Sequence, residues 1–86
     1  MESIEKVFKA FANRRRLAII KFLMQTREAS VGEIAGAIDL SFKATSKHLT
    51  ILHRADILER EQRSLLMFYR LTENPTPLIG GVLKLL

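Results

Sequence analysis

DLSFKATSKHL, residues 39–49, sets Lys43 and Lys47 one helical turn apart behind Ser41, a residue type suited to capping a helix. At 100° per residue, Thr45, His48, Leu49 and Leu52 gather on one side of a helix that runs to about Arg54, the side that must pack on a core. Lys43, Lys47, Thr50 and Arg54 lie diametrically opposite. A merely solvated helical face mixes Glu with Lys at four-residue spacing, whereas this one is basic or hydroxylic throughout and holds no carboxylate. Small residues near its start, Ala44, Thr45 and Ser46, suit entry into a DNA major groove because they let the backbone approach. Lys43 and Lys47 are then placed to donate either to guanine O6 and N7 or to phosphates.

The elements on either side support this reading. Ser30-Val31-Gly32-Glu33 is a capping box, so a short helix starts at about Val31, turns Ile34, Ala35 and Ile38 inward and ends near Asp39. With Ser41 capping the next helix, so tight a connection forces a steep crossing, the geometry of a helix-turn-helix. Upstream, Ile4, Val7, Phe8 and Phe11 form an apolar stripe on a helix over 2–12, and Asn13 caps RRRLAIIKFLMQ, whose Leu17, Ile20, Leu23 and Met24 face a core. Downstream, residues 57–61 and 65–71 read as a hairpin around Gln62, Arg63 and Ser64, with Tyr69 on the core side between Met67 and Leu71. Thr76 and Pro77 then open a closing helix, LIGGVLKLL, in which Gly80 and Gly81 each cost about 1 kcal/mol relative to Ala.

Eighty-six residues make one domain, 1–86, of a size at which a partner subunit helps stability. A net charge of +5 draws the chain to polyanions, nucleic acid first and an acidic membrane surface second. The absence of cysteine excludes disulfides and thiolate metal sites, and no apolar run reaches signal-peptide or membrane-span length, which points to a cytoplasmic protein. His48 and His53 stand about 140° apart on one helix and cannot share an ion. His48 reads as a hydrogen-bonded histidine at the edge of the core, and His53 as a partner for terminal carbonyls. With no suitably placed carboxylate and no phosphate-binding glycine loop, neither an enzyme nor a cofactor is expected.

A-N-R-R-R-L-A-I-I-K-F-L, S-V-G-E-I-A, L-S-F-K-A-T-S-K-H-L-T-I-L and F-Y-R-L follow one another from about Val7 to Leu71, and in that order they resemble the ArsR/SmtB family of winged helix-turn-helix transcriptional repressors. The resemblance implies a mainly α fold with a small β-hairpin, five helices plus a wing. It implies a homodimer whose recognition helices enter successive major grooves of an inverted repeat while the wing reaches the flanking backbone. DNA contacts then fall to Ser41, Phe42, Lys43, Ala44, Ser46, Lys47, Thr50 and Arg54, with Gln62, Arg63 and also Arg60 from the wing. The dimer interface falls to the first and last helices, through Ile4, Val7, Phe8 and Phe11 and through Leu78, Ile79, Val82, Leu83 and Leu86. Arg16 matches a structural arginine, which Glu5 or Glu33 is in a position to neutralise, while Arg14 and Arg15 are candidates for phosphate.

Departures from the pattern sharpen the expectation. The cysteine pair of metal-sensing members is replaced by Ser30 and Gly32, and residues 77–86 hold none of the Asp, His or Glu ligands of the other common sensor site, so no metal is expected. Asp39 replaces the glycine usual in the turn, a residue that tolerates the left-handed conformation. Phe42 has two readings, a contact to a thymine methyl or packing on the neighbouring helix. Ser64, Leu65 and Leu66 stand where the family has Gly and Arg. The expected function is sequence-specific repression. Its rivals are a repressor with an unrecognised metal or ligand sensor and a docking module that uses Phe42, Leu65 and Leu66.

Overall fold

Each helix of the chain begins at a side-chain cap. In a computed structural model, which describes residues 3–86, α1 (Ile4–Phe11) is capped by Ser3, α2 (Arg14–Thr26) by Asn13, α3 (Val31–Ile38) by Ser30, α4 (Phe42–Arg54) by Ser41 and α5 (Pro77–Leu83) by Thr76. The expected start of the first helix at residue 2 lies outside the described residues. The capping box is complete: the Glu33 amide donates to Ser30 Oγ over 3.2 Å, and Glu33 Oε1 accepts from the Ser30 amide over 2.8 Å.

Between the helices lies an antiparallel sheet of three strands in the order β1-β3-β2, made of β1 (Glu28–Ser30), β2 (Leu58–Arg63) and β3 (Leu66–Leu71). β1 was not expected. Three residues carry no readable periodicity, and Ser30 serves both as its last residue and as the cap of α3. The hairpin also differs from expectation: β2 continues through Gln62 to Arg63, and the turn is Ser64 and Leu65. Ser64 takes φ 56° in that turn, where glycine is the usual choice.

The core gathers Ile19, Ile20 and Leu23 of α2, Ile34 of α3, Leu49 and Leu52 of α4, Ile57, Leu58 and Tyr69 around the hairpin and Ile79 of α5. Two expectations need correction here. In α2 the inward register is set by Ile19, which is fully buried, while Met24 is exposed and Leu17 only half-buried. Among the residues assigned to a dimer interface, Val7, Phe11 and Ile79 close on the protomer's own core, and Leu78, Val82 and Leu83 are half-buried against it. A small core needs those side chains for itself. The apolar surface left over is Ile4, 63% exposed, Phe8, 50% exposed, and Leu86, together with Leu85, which was not anticipated.

α1 is held on the body by a full accounting of its last four carbonyls. The Phe8 carbonyl accepts from Ala12 N and that of Phe11 from Asn13 N, while Arg16 takes the two between, its Nε donating to Ala10 O over 2.7 Å and its Nη2 to Lys9 O over 2.9 Å. Neither expected carboxylate serves Arg16: Glu33 is committed to the capping box, and Glu5 pairs with Lys9 on the surface. Carbonyls at a helix C-terminus carry partial negative charge and suit a guanidinium without any acid.

Two measurements check these packing assignments. Thr45 is 0% exposed and its Oγ1 has no hydrogen-bond partner, so Thr45→Val, which keeps the shape and the branching, should raise unfolding free energy by about 1 kcal/mol in chemical denaturation. A loss of stability would show that the hydroxyl has a partner. Arg16→Ala, by orphaning two carbonyls, should cost about 3 kcal/mol, and Arg16→Lys should recover less than half of that because an ammonium is not a planar fork. Full recovery by lysine would mean that charge alone holds α1.

Candidate nucleic-acid interface

The presentation of α4 begins in the turn before it. Asp39 ends α3 in the left-handed conformation, φ 55° and ψ 53°, with its amide and that of Leu40 both donating to the Ala35 carbonyl. Leu40 and Ser41 then bring the chain round, and Ser41 Oγ accepts from the Ala44 amide over 3.1 Å. A left-handed stop and an extended cap only two residues apart turn the chain from α3 into α4.

α4 divides by face as its sequence implies. Thr45, Leu49 and Leu52 are fully buried, while Lys43, Lys47 and Arg54 are exposed. Among the described residues no carboxylate pairs with any of these three cations. Ala44 and Ser46 are half-buried between the two faces, and Thr50 turns its hydroxyl back to donate to the Ser46 carbonyl over 3.0 Å. Phe42, 63% exposed at the first position of the helix, packs on nothing in the core, which leaves the packing alternative without support.

Strand alternation sorts the wing. On one face of the sheet β3 shows Leu66, Phe68 and Arg70, matched across β2 by Arg63, Glu61 and Glu59 and across β1 by Glu28 opposite Arg70. This face is interlocked. Arg63 forms a two-pronged pair with Glu28, its Nη1 and Nη2 donating over 2.8 and 2.7 Å, reaches Glu61 over 3.0 Å and lies 4.7 Å above the Phe68 ring. Arg70 meets Glu59 over 3.2 Å, and the second oxygen of Glu59 accepts from the Glu73 amide over 2.9 Å and from the Thr72 hydroxyl. Paired guanidiniums hold the carboxyls of Glu28 and Glu61 below the ordinary glutamate range; at Glu59 the Glu73 amide does most of this. Arg63 is held in its charged form above the usual arginine value by Glu28 and Glu61.

Arg63, a candidate phosphate ligand on sequence grounds, thus has its charge satisfied at home. Arg60 and Gln62 sit on the other face, opposite Tyr69 and Met67, the face that also packs the helices. Arg60 is exposed and enters none of the ion pairs among the described residues. The signal that distinguishes the two arginines was the period of two counted from the buried Tyr69, and it became readable only with the turn fixed at Ser64 and Leu65. Leu65 at the tip is 94% exposed.

His48 lies on the flank of α4 toward α2, where Arg16 Nη1 approaches its Nδ1 to 3.1 Å. Burial and then the Arg16, Arg15 and Lys47 charges hold its imidazole below the ordinary histidine value. His53 is shifted the same way, first by burial and then by Arg60, with Asp56 opposing. Among the described residues no three His, Asp or Glu side chains gather as a metal site would require.

The chain's likeness to known proteins agrees with this geometry. Residues 13–60, from the cap of α2 into β2, match the family described as bacterial regulatory protein, arsR family. The chain is 38% identical over 66 residues to the transcriptional activator HlyU of Vibrio cholerae, an alignment that takes in 77% of this chain and 60% of that relative. It therefore spans less than two thirds of the relative's length. The structure of HlyU from Vibrio cholerae N16961 superposes with a TM-score of 0.79 at 32% identity, covering 94% of this chain and 84% of that one. The homodimeric winged helix-turn-helix DNA-binding domain of Mb0332 from Mycobacterium bovis gives 0.81 at 28% identity, with 95% and 72% covered. The transcriptional repressor PagR of Bacillus anthracis gives 0.75 at 26%, with 94% and 88% covered. With the match spanning the whole helix-turn-helix, the chain belongs to the ArsR family of bacterial regulatory proteins and has their winged helix-turn-helix fold.

Proposed function

We propose that the chain is a cytoplasmic, homodimeric DNA-binding transcriptional regulator that represses by occupying an inverted-repeat operator. The observation that carries the reading is the outer face of α4, where Lys43, Lys47 and Arg54 stand exposed with no acidic partner while Thr45, Leu49 and Leu52 anchor the helix from behind. Such a face costs repulsion unless a polyanion meets it. Lys43, Ala44 and Lys47 then lie toward base edges, and Ser41, Ser46, Thr50 and Arg54 toward the backbone, with Phe42 against a thymine methyl. The Mb0332 domain is described as homodimeric and DNA-binding, which supports assembly through the apolar remainder Ile4, Phe8, Leu85 and Leu86. PagR is called a transcriptional repressor and HlyU a transcriptional activator, so control of transcription is what these two names share.

In the wing we assign the phosphate contact to Arg60, with Gln62 beside it, rather than to Arg63, whose ion pairs with Glu28 and Glu61 would have to break first. Breaking them would expose two carboxylates to the phosphates.

Both assignments can be measured on a duplex selected from a random pool. Lys43→Ala with Lys47→Ala should weaken binding about 100-fold and leave the thermal midpoint within about 2 °C of the parent, since both side chains are exposed. Retention of parental affinity would remove α4 from the groove. In a salt titration Arg60→Ala should lower the slope of log K against log salt by about one, and Arg63→Ala should leave it unchanged. The reverse result would restore Arg63, and a slope near zero in the parent would favour docking of a protein on Phe42 and Leu65 instead.

A further inference from the structure

Arginine has no acceptor and is charged at every accessible pH, so the 3.1 Å approach of Arg16 Nη1 to His48 Nδ1 admits one arrangement. The guanidinium donates, Nδ1 offers its lone pair, and the imidazole proton sits on Nε2. The same guanidinium holds Ala10 O and Lys9 O with its other nitrogens, so one planar group ties the end of α1 to the flank of α4.

An imidazolium cannot occupy this place. Protonation at Nδ1 removes the lone pair and sets a second cation against Arg16. The surroundings offer no relief: from α2 the ring meets Arg16 and Arg15, and from α4 itself Lys47. The acids on neighbouring elements are committed elsewhere. On α1, Glu5 pairs with Lys9 at the surface. On α3, Glu33 is held in the capping box and Asp39 lies at the far end of the helix. From β2, Arg60 lies toward His53.

Resting on the DNA-binding reading, we infer that His48 is a positioning residue for recognition: as a neutral acceptor for Arg16 it seats α4 at the angle that fits the groove, and as a cation it unseats the helix. The lowered pKa agrees in sign. A histidine whose folded value lies below its ordinary one stabilises the fold above the ordinary value, and that stability is lost as pH falls and the unfolded chain takes up the proton first. The effect on DNA runs against the general one, since an added cation beside phosphate strengthens binding. The direction of the pH profile therefore separates a positioning role from simple charge.

The test uses the full chain carrying His53→Gln, so that one histidine titrates, and a duplex selected from a random pool. As pH falls below the ordinary histidine value its affinity should fall, by about tenfold once the ring is charged, the loss expected when one part-buried charge-assisted hydrogen bond is exchanged for repulsion. Adding His48→Gln, whose amide oxygen accepts from Arg16 at any pH, should flatten the profile with neutral-pH affinity kept. Adding His48→Lys should give weak binding at both ends. Affinity that rises with acid, or a profile unchanged by His48→Gln, would overturn the inference. If no duplex is bound at any pH, it is the DNA reading that fails. The strut is then read in the DNA-free protein: titrating His48 should shift amide resonances at Lys9, Ala10 and along α4 with one midpoint, and a resonance set confined to His48 and its sequence neighbours would sink it.

Discussion

One guanidinium, that of Arg16, carries the constraint on which the remaining geometry depends. A helix-turn-helix is useful only if its second helix stands proud of the body at a fixed angle, and α4 meets that body through few side chains. Its buried stripe of Thr45, Leu49 and Leu52 prevents it from lifting, but apolar contact is not directional and does little to stop it from rolling. Hydrogen bonds are directional. By satisfying two orphan carbonyls of α1 and one ring nitrogen of α4 with a rigid planar fork, Arg16 adds directional bonds to that packing. Position 16 lies in the first turn of α2, where a cation opposes the helix dipole. The side chain escapes that cost by reaching back to the negative end of α1 instead.

The wing shows the opposite use of charge. Its outer face joins Glu28, Glu59, Glu61, Arg63 and Arg70 into a ribbon in which acids outnumber bases by one, so little field is left for a ligand. Exposed pairs of this kind contribute little stability singly, but here they cross all three strands and set the attitude of a hairpin whose tip projects well beyond the core. α4 and Arg60, by contrast, present cations that no carboxylate among the described residues pairs. Ser64, Leu65 and Leu66 at the hairpin tip carry no charge, consistent with a wing that braces more than it binds.

Much of this was legible in the amino-acid sequence because local chemistry and tertiary role coincided. Ser30 with Glu33, Asn13, Ser41 and Thr76 mark helix starts by hydrogen bonds made within three residues, and no later packing competes with them. The two faces of α4 were legible for a similar reason, since a helix of 13 residues samples its period more than three times. What escaped depends on distant partners. β1 is a strand only because β3 pairs with it, and Arg63 is neutralised by Glu28, 35 residues earlier in the chain. The terminal stripes showed apolar periodicity but not which members the protomer keeps, so Val7, Phe11 and Ile79 went to the core and only Ile4, Phe8, Leu85 and Leu86 stay outside. Arg60 was named from the sequence, but that it and Arg63 stand on opposite faces shows only in the pairing of β2 with β3.

The claim that α4 and the inner edge of the wing together form the DNA-binding surface is tested most directly by adding a selected duplex to isotope-labelled protein and mapping which backbone amides shift. The largest changes should run from Ser41 to Lys47, with a second group at Arg60 to Gln62. Changes centred on Glu28, Phe68 and Arg70, or on the Ile4 and Phe8 face, with α4 undisturbed, would contradict it.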